Sequence, residues 1–183
     1  MATYFIVAGI IIILVLFLMG NYNSFVKLRN TVEEAFATMD VYLKKRYDLI
    51  PNLVETVKGY ATHERETFEK VVQARSMAMN AGTIEERQIS ENNLTNTLKS
   101  LFALSENYPD LKADSQFLDL QRQLEKVEED ISQARKYYNA VVKALNTKVE
   151  SFPSNIVAKL FGFKRAVYFT ADETERENVK VSF

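Results

Sequence analysis

The one histidine in the chain, His63, is followed by Glu64, which is how a helical His-Glu-x-x-His zinc site begins. Such a site needs a second imidazole one turn further on, and Thr67 stands in that place, so two-histidine ligation fails. A di-iron bundle would need Glu-x-x-His on two helices, whereas the residue three before His63 is Tyr60. His63 is therefore expected to be a polar residue at a helix boundary. Cysteine is absent, which excludes a thiolate nucleophile, a Cys-based zinc or iron–sulfur centre, a disulfide and lipidation at a processed N-terminal cysteine. The glycines, Gly9, Gly20, Gly59, Gly82 and Gly162, never cluster into a phosphate-cradling loop or a nucleophile elbow. These absences predict a protein that is not an enzyme and needs no cofactor or metal. With 23 basic against 24 acidic side chains there is no net basic face for nucleic acid.

Three other groups of residues carry binding or mechanical possibilities. Lys44, Lys45 and Arg46 could contact lipid, but a straight helix from Tyr22 would carry them about 33 Å from a membrane surface. A solvated face or a partner contact fits better. Around Tyr47-Asp48-Leu49-Ile50-Pro51-Asn52 the proline deletes a backbone hydrogen bond and crowds the Tyr47 carbonyl, predicting a kink or short break that Asp48 could cap. Asp48 and Pro51 are thus candidates for a hinge, with local capping the plainer account. Asn139, Val142, Asn146 and Val149 form a second row at 3–4 spacing beside a longer apolar stripe. That row is a candidate oligomer interface, its two asparagines being either polar flank or buried amides that fix register.

The elements that position these residues are helices. Only 5 Gly and 3 Pro interrupt 183 residues, too few for the turns of a β-sandwich or barrel. From Tyr22, apolar residues recur at steps of three and four through Phe25, Leu28, Val32, Phe36, Met39, Leu43, Tyr47, Ile50, Val54, Val57 and Ala61. A second helix is expected from about His63 to Ala81, stopping at Gly82, where a left-handed residue often ends a helix. A third starts at Thr83, whose pairing with Glu86 is a capping box, and ends before Pro109. The fourth opens near Ser115 and runs to Phe152-Pro153. Linkers this short predict an all-α antiparallel up-down-up-down four-helix bundle with two long and two shorter helices.

Residues 1–20 read as a membrane anchor continuous with the first helix. Ala2 to Gly20 carries no charged side chain, and at about 1.5 Å per residue it spans roughly 28 Å, close to the hydrocarbon thickness. A cleaved signal peptide is the alternative, but there is no basic n-region and no small-x-small site after the run. Lys27 and Arg29 follow the span and nothing basic precedes it, which predicts N-terminus out and C-terminal domain in the cytoplasm. The bundle would occupy 21–150. A basic, aromatic segment, 151–170, would follow, and 171–183 would form an acidic flexible tail. The first helix outruns the middle pair, so a two-helix stalk near the membrane is expected. The fourth helix then returns 151–170 close to the bilayer, where Lys159, Leu160, Phe161, Phe163, Lys164 and Arg165 are candidates for a membrane interface. The other possibility is that these aromatics fold back to cover the stalk.

The blocks YNSFVKLRNTVEEAF, DVYLKKRYDLIPNLVETVKGYATHE, YPDLKADSQFLDLQRQLEKVEEDISQARKYYNAVV and FPSNIVAKLFGF resemble the bacterial LemA family, in family order. The resemblance implies a single-pass protein of the bacterial inner membrane with an antiparallel helical bundle and no established enzymatic activity. It also implies links to magnetosome-membrane building and to membrane proteases. The function expected is a non-enzymatic, membrane-anchored scaffold that forms homo-oligomers and organises lipid or membrane-protein partners. The alternative is an adaptor for one client, such as a membrane protease.

Overall fold

The structure, a computed structural model, describes residues 1–170; the stretch read as an acidic tail, 171–183, lies outside them. Six helices follow one another: α1 Ala2–Lys58, α2 Arg65–Asn80, α3 Ile84–Ser105, α4 Pro109–Lys112, α5 Ser115–Glu150 and α6 Ser154–Phe161. No strand occurs among the described residues. The two long and two shorter helices are present as the periodicity predicts, with α4 added in the expected linker and α6 within the basic, aromatic segment 151–170. The chain divides into two compact units. One comprises Met1–Thr38 and Lys136–Tyr168, and the other Met39–Arg135 with Phe169 and Thr170 among the described residues.

Local sequence explains most helix limits. α1 does not break at Pro51, and Asp48 is an exposed mid-helix side chain rather than a cap. Proline has no N–H for the Tyr47 carbonyl four residues back. That carbonyl instead accepts a hydrogen bond from Arg75 Nε of α2 at 2.7 Å, which removes the reason for a gap. The proposed hinge is thus a stretch of helix tied to its neighbour. α2 ends with Ala81 extended, and Gly82 is not left-handed as expected; its N–H donates to Glu86 Oε2 at 3.0 Å. The capping box of α3 is complete, with Glu86 N–H on Thr83 Oγ1 and Thr83 N–H on Glu86 Oε2, both 3.1 Å. Asp114 caps α5 by accepting from Phe117 N–H at 2.8 Å. The left-handed glycine is Gly162, φ 74°, which ends α6 and lets Phe163 N–H reach the Ala158 carbonyl at 2.9 Å.

The second unit is built from residues 39–58 of α1, α2, α3, α4 and 115–135 of α5. Ile50, Leu53, Val71, Leu94 and Leu101 are buried at its core, and Phe102 packs against Phe117 with ring centroids 6.2 Å apart. In the first unit, α1 and α5 run antiparallel: Ser24 meets Lys148, and Phe36 meets Tyr138. The expected two-helix stalk is a three-helix arrangement there, because α6 folds onto the pair.

Candidate functional site

The first unit holds a small core of Phe25, Leu145, Val157 and Ala158, with Leu18, Leu28, Val149 and Phe163 packed against it. Phe163 stacks on Phe25 with centroids 4.8 Å apart and planes 17° apart. Tyr22 meets Phe161 and Phe163 edge-on at 5.0 and 5.6 Å. Leu18 belongs to the uncharged run of α1, so α6 rests against the last turn of the segment long and apolar enough to cross a membrane. Val157 and Ala158 face inward, whereas Ile156 and Leu160, four apart on the other face, are 57% and 66% exposed. Phe161 is 48% exposed and Phe152, just before the helix, 80%.

The six candidates for a membrane interface therefore separate. Lys159, Leu160, Phe161 and Lys164 are exposed. Phe163 is the residue that folds back into the core, and Arg165 is drawn to Glu150 in a 2.9 Å ion pair. The fold-back drawn from the sequence holds for Phe163, and the exposed side chains are the ones left as candidates for an interface.

The row offered as an oligomer interface is not open surface. Val142 is fully buried within the unit, and Asn146 is 3% exposed. The Asn146 amide clamps the backbone of Ala166, donating from Nδ2 to its carbonyl at 3.0 Å and accepting its N–H on Oδ1 at 2.8 Å. Asn139 and Val149 are half-buried. The chain's own 163–168 segment lies where a second copy was expected, as the surplus stripe needed some cover. Tyr138 adds a third tie, its hydroxyl donating to the Val167 carbonyl at 2.8 Å.

The second unit contains a buried ionic cluster that sequence reasoning missed. Arg46, grouped with Lys44 and Lys45 as a solvated face or a partner contact, is fully buried. Its guanidinium donates to Glu91, also fully buried, to Glu128 Oε1 at 2.7 Å and to Thr95 Oγ1 at 3.2 Å. The Tyr47 hydroxyl donates to the second Glu91 oxygen, and burial raises the Tyr47 pKa above the ordinary phenol value, so it remains a donor. A signal existed: position 46 is three after Leu43 and four before Ile50, and Glu91 is three before Leu94, so both fall on core faces. At the rim Arg87 pairs with Asp40. His63 sits exposed in the turn between α1 and α2, at the helix boundary where it was expected.

The cluster's carboxylates are spoken for by Arg46 and Tyr47, and its chemistry is that of a structural ion pair. What remains is a helical domain on one span-length apolar helix, with a second apolar edge at the end of that span. Residues 35–183 match the LemA family, and the chain belongs to that family. It is 25% identical to Protein LemA of Metamycoplasma hominis over 164 residues, covering 89% of this chain and 75% of that protein. It is 24% identical over 178 residues to Magnetosome protein MamQ 2 of Paramagnetospirillum magneticum, covering 83% of this chain and 65% of that one. Magnetosome protein MamQ of Magnetospirillum gryphiswaldense is 23% identical with the same shares. The chain thus spans just under two thirds of the length of these magnetosome proteins.

Proposed function

We propose that this protein is a non-enzymatic scaffold anchored in the bacterial inner membrane by residues 2–20, which self-associates and organises membrane or membrane-protein partners. The observation that carries the reading is the seating of α6 against Leu18, at the end of an exposed apolar helix. On this reading the exposed Ile156, Leu160 and Phe161 enter lipid at the interface while Lys159 and Lys164 meet headgroups. Two of the relatives being magnetosome proteins supports a role in building a membrane structure. Because the row at Val142 is covered, association is assigned to the anchor and the exposed α6 edge. Confinement to a plane raises the effective concentration of both.

The test is the stoichiometry of the full-length chain in nanodiscs and in several detergents. A defined assembly, weakened by replacing Leu160 and Phe161 with Ser, supports the scaffold. A monomer throughout rejects it in favour of an adaptor that binds one client.

A further inference from the structure

A second feature of the first unit faces the membrane-proximal end of α1. Between α1 and α5 runs an open groove of about 580 Å³ that reaches the turn into α6. Phe17 and Asn21 line it from α1, Lys143, Thr147 and Lys148 from α5, and Ser151 and Ser154 from the turn into α6. None of its lining residues is acidic. Glu150, next to Ser151 in the chain, is not among them and is held by Arg165 at 2.9 Å.

The order of these residues along the groove follows from the antiparallel pairing of Ser24 with Lys148. Phe17, still within the apolar run, lies at the end nearest Pro153 and Ser154. Asn21 and Ser151 come next, then Lys148, and Lys143 beside Leu28 stands furthest from the span. Phe17, then amide and hydroxyl groups, then the two lysines therefore succeed one another outward, the order in which a phospholipid presents chain, phosphate and headgroup, with Leu28, Ala140 and Ala144 also lining the lysine end. Lys148 donates to Ser24 Oγ at 2.5 Å and lies over the Phe25 ring at 5.2 Å. An ammonium has three donors, so its position is fixed while two N–H groups remain for an anion.

We infer that this groove binds one anionic phospholipid, with its phosphate held by Lys148, the Ser151 hydroxyl and the Asn21 amide N–H not spent on the Phe17 carbonyl, its headgroup reached by Lys143, and an acyl chain along Phe17; the Ser154 hydroxyl is committed to the Lys148 and Ser151 carbonyls. The inference rests on the anchoring reading and adds a lipid class to it. Charge complementarity names the occupant: a zwitterionic lipid would bring its own cation toward two lysines with no acid in the groove to receive it.

The experiment uses the full chain released from nanodiscs of mixed phosphatidylglycerol and phosphatidylcholine, with retained lipid counted by native mass spectrometry. Retention of phosphatidylglycerol over phosphatidylcholine is expected. Ser151→Asp sets a negative charge beside the phosphate at an exposed side chain, and Lys143→Gln removes a cation. Each should lower retention by about fivefold, the factor one charge near an anionic surface contributes. Lys136→Gln, an exposed lysine outside the groove, should leave retention unchanged, and circular dichroism should show all three variants equally helical. Equal retention of both lipids, no response to Ser151→Asp, or displacement of lipid by glycerol phosphate at low concentration overturns the lipid site. A chain that alkaline carbonate strips from membranes overturns the anchoring reading and this inference with it. A carbonate-resistant chain without lipid preference overturns the inference alone.

Discussion

Arg46 and Glu91 show how much depends on a single buried pair. Both side chains are withdrawn from water, so the attraction between them first has to offset desolvation, and removing one partner leaves the other charge stranded. Glu91→Leu should destabilise the protein by about 3–5 kcal/mol in chemical denaturation, since Glu128, which is partly exposed, neutralises Arg46 only incompletely. The double variant Arg46→Met with Glu91→Leu should cost far less than the two single changes added together. If the costs simply add, the pair is not the unit described. Asn146 acts at the same scale on backbone rather than charge. Asn146→Leu fills the site with apolar volume but strands the Ala166 N–H and carbonyl, so a loss of about 1–3 kcal/mol is expected, with faster hydrogen exchange at the Ala166 amide. The sequence made Asn146 visible as one of a row and left open whether it was flank or clamp. Its partner lies 20 positions away in an extended segment with no periodicity to reveal the pairing.

Helices were legible wherever a local signal marked them, and the capping box at Thr83 placed the start of α3 without error. Pro51 was misleading because its cost is local but its remedy is not: the donor that satisfies the Tyr47 carbonyl comes from α2. A double-mutant cycle tests this. Arg75→Met should destabilise the parent, whereas in a Pro51→Ala background, where residue 51 regains its N–H, the same change should cost measurably less. α6 was missed since an eight-residue helix has little period to read, although Pro153 ahead of it and Gly162 behind it bracket its span. Asp114 gives the element scale a pH dependence. The Phe117 N–H and then the Tyr60 hydroxyl, 3.0 Å away, hold its carboxyl below the usual range. A lowered folded pKa means that its stabilisation is present above the unfolded value and is lost as pH falls through the folded one. As pH falls below about 4, the ordinary aspartate value, the melting temperature of the parent should therefore fall more steeply than that of Asp114→Asn, which keeps a capping oxygen but does not titrate.

At the scale of the whole molecule, topology is the property that most constrains partners, and the lack of native cysteine makes it directly measurable. In intact cells an impermeant maleimide should label Ala2→Cys, and Glu69→Cys, exposed on α2, only after permeabilisation. Labelling of Glu69→Cys alone in intact cells would reverse the assigned orientation. The all-helical class and the long apolar N-terminal helix were readable from composition and period, whereas the way Val142 is covered was not, because the cover comes from chain that is neither helix nor strand. That cover bears on the life of the protein in the cell. Residues 163–170 close seams against Asn146 and, through Gln88 with Thr170, against a helix 82 positions upstream. A chain cut or stalled after Glu150 keeps its long helices but bares Val142, Leu145 and Asn146. Such a fragment presents an apolar stripe that the whole chain keeps covered. The ordinary-looking segment behind α6 thus makes a whole copy differ from one shortened after Glu150 in how much apolar surface it exposes.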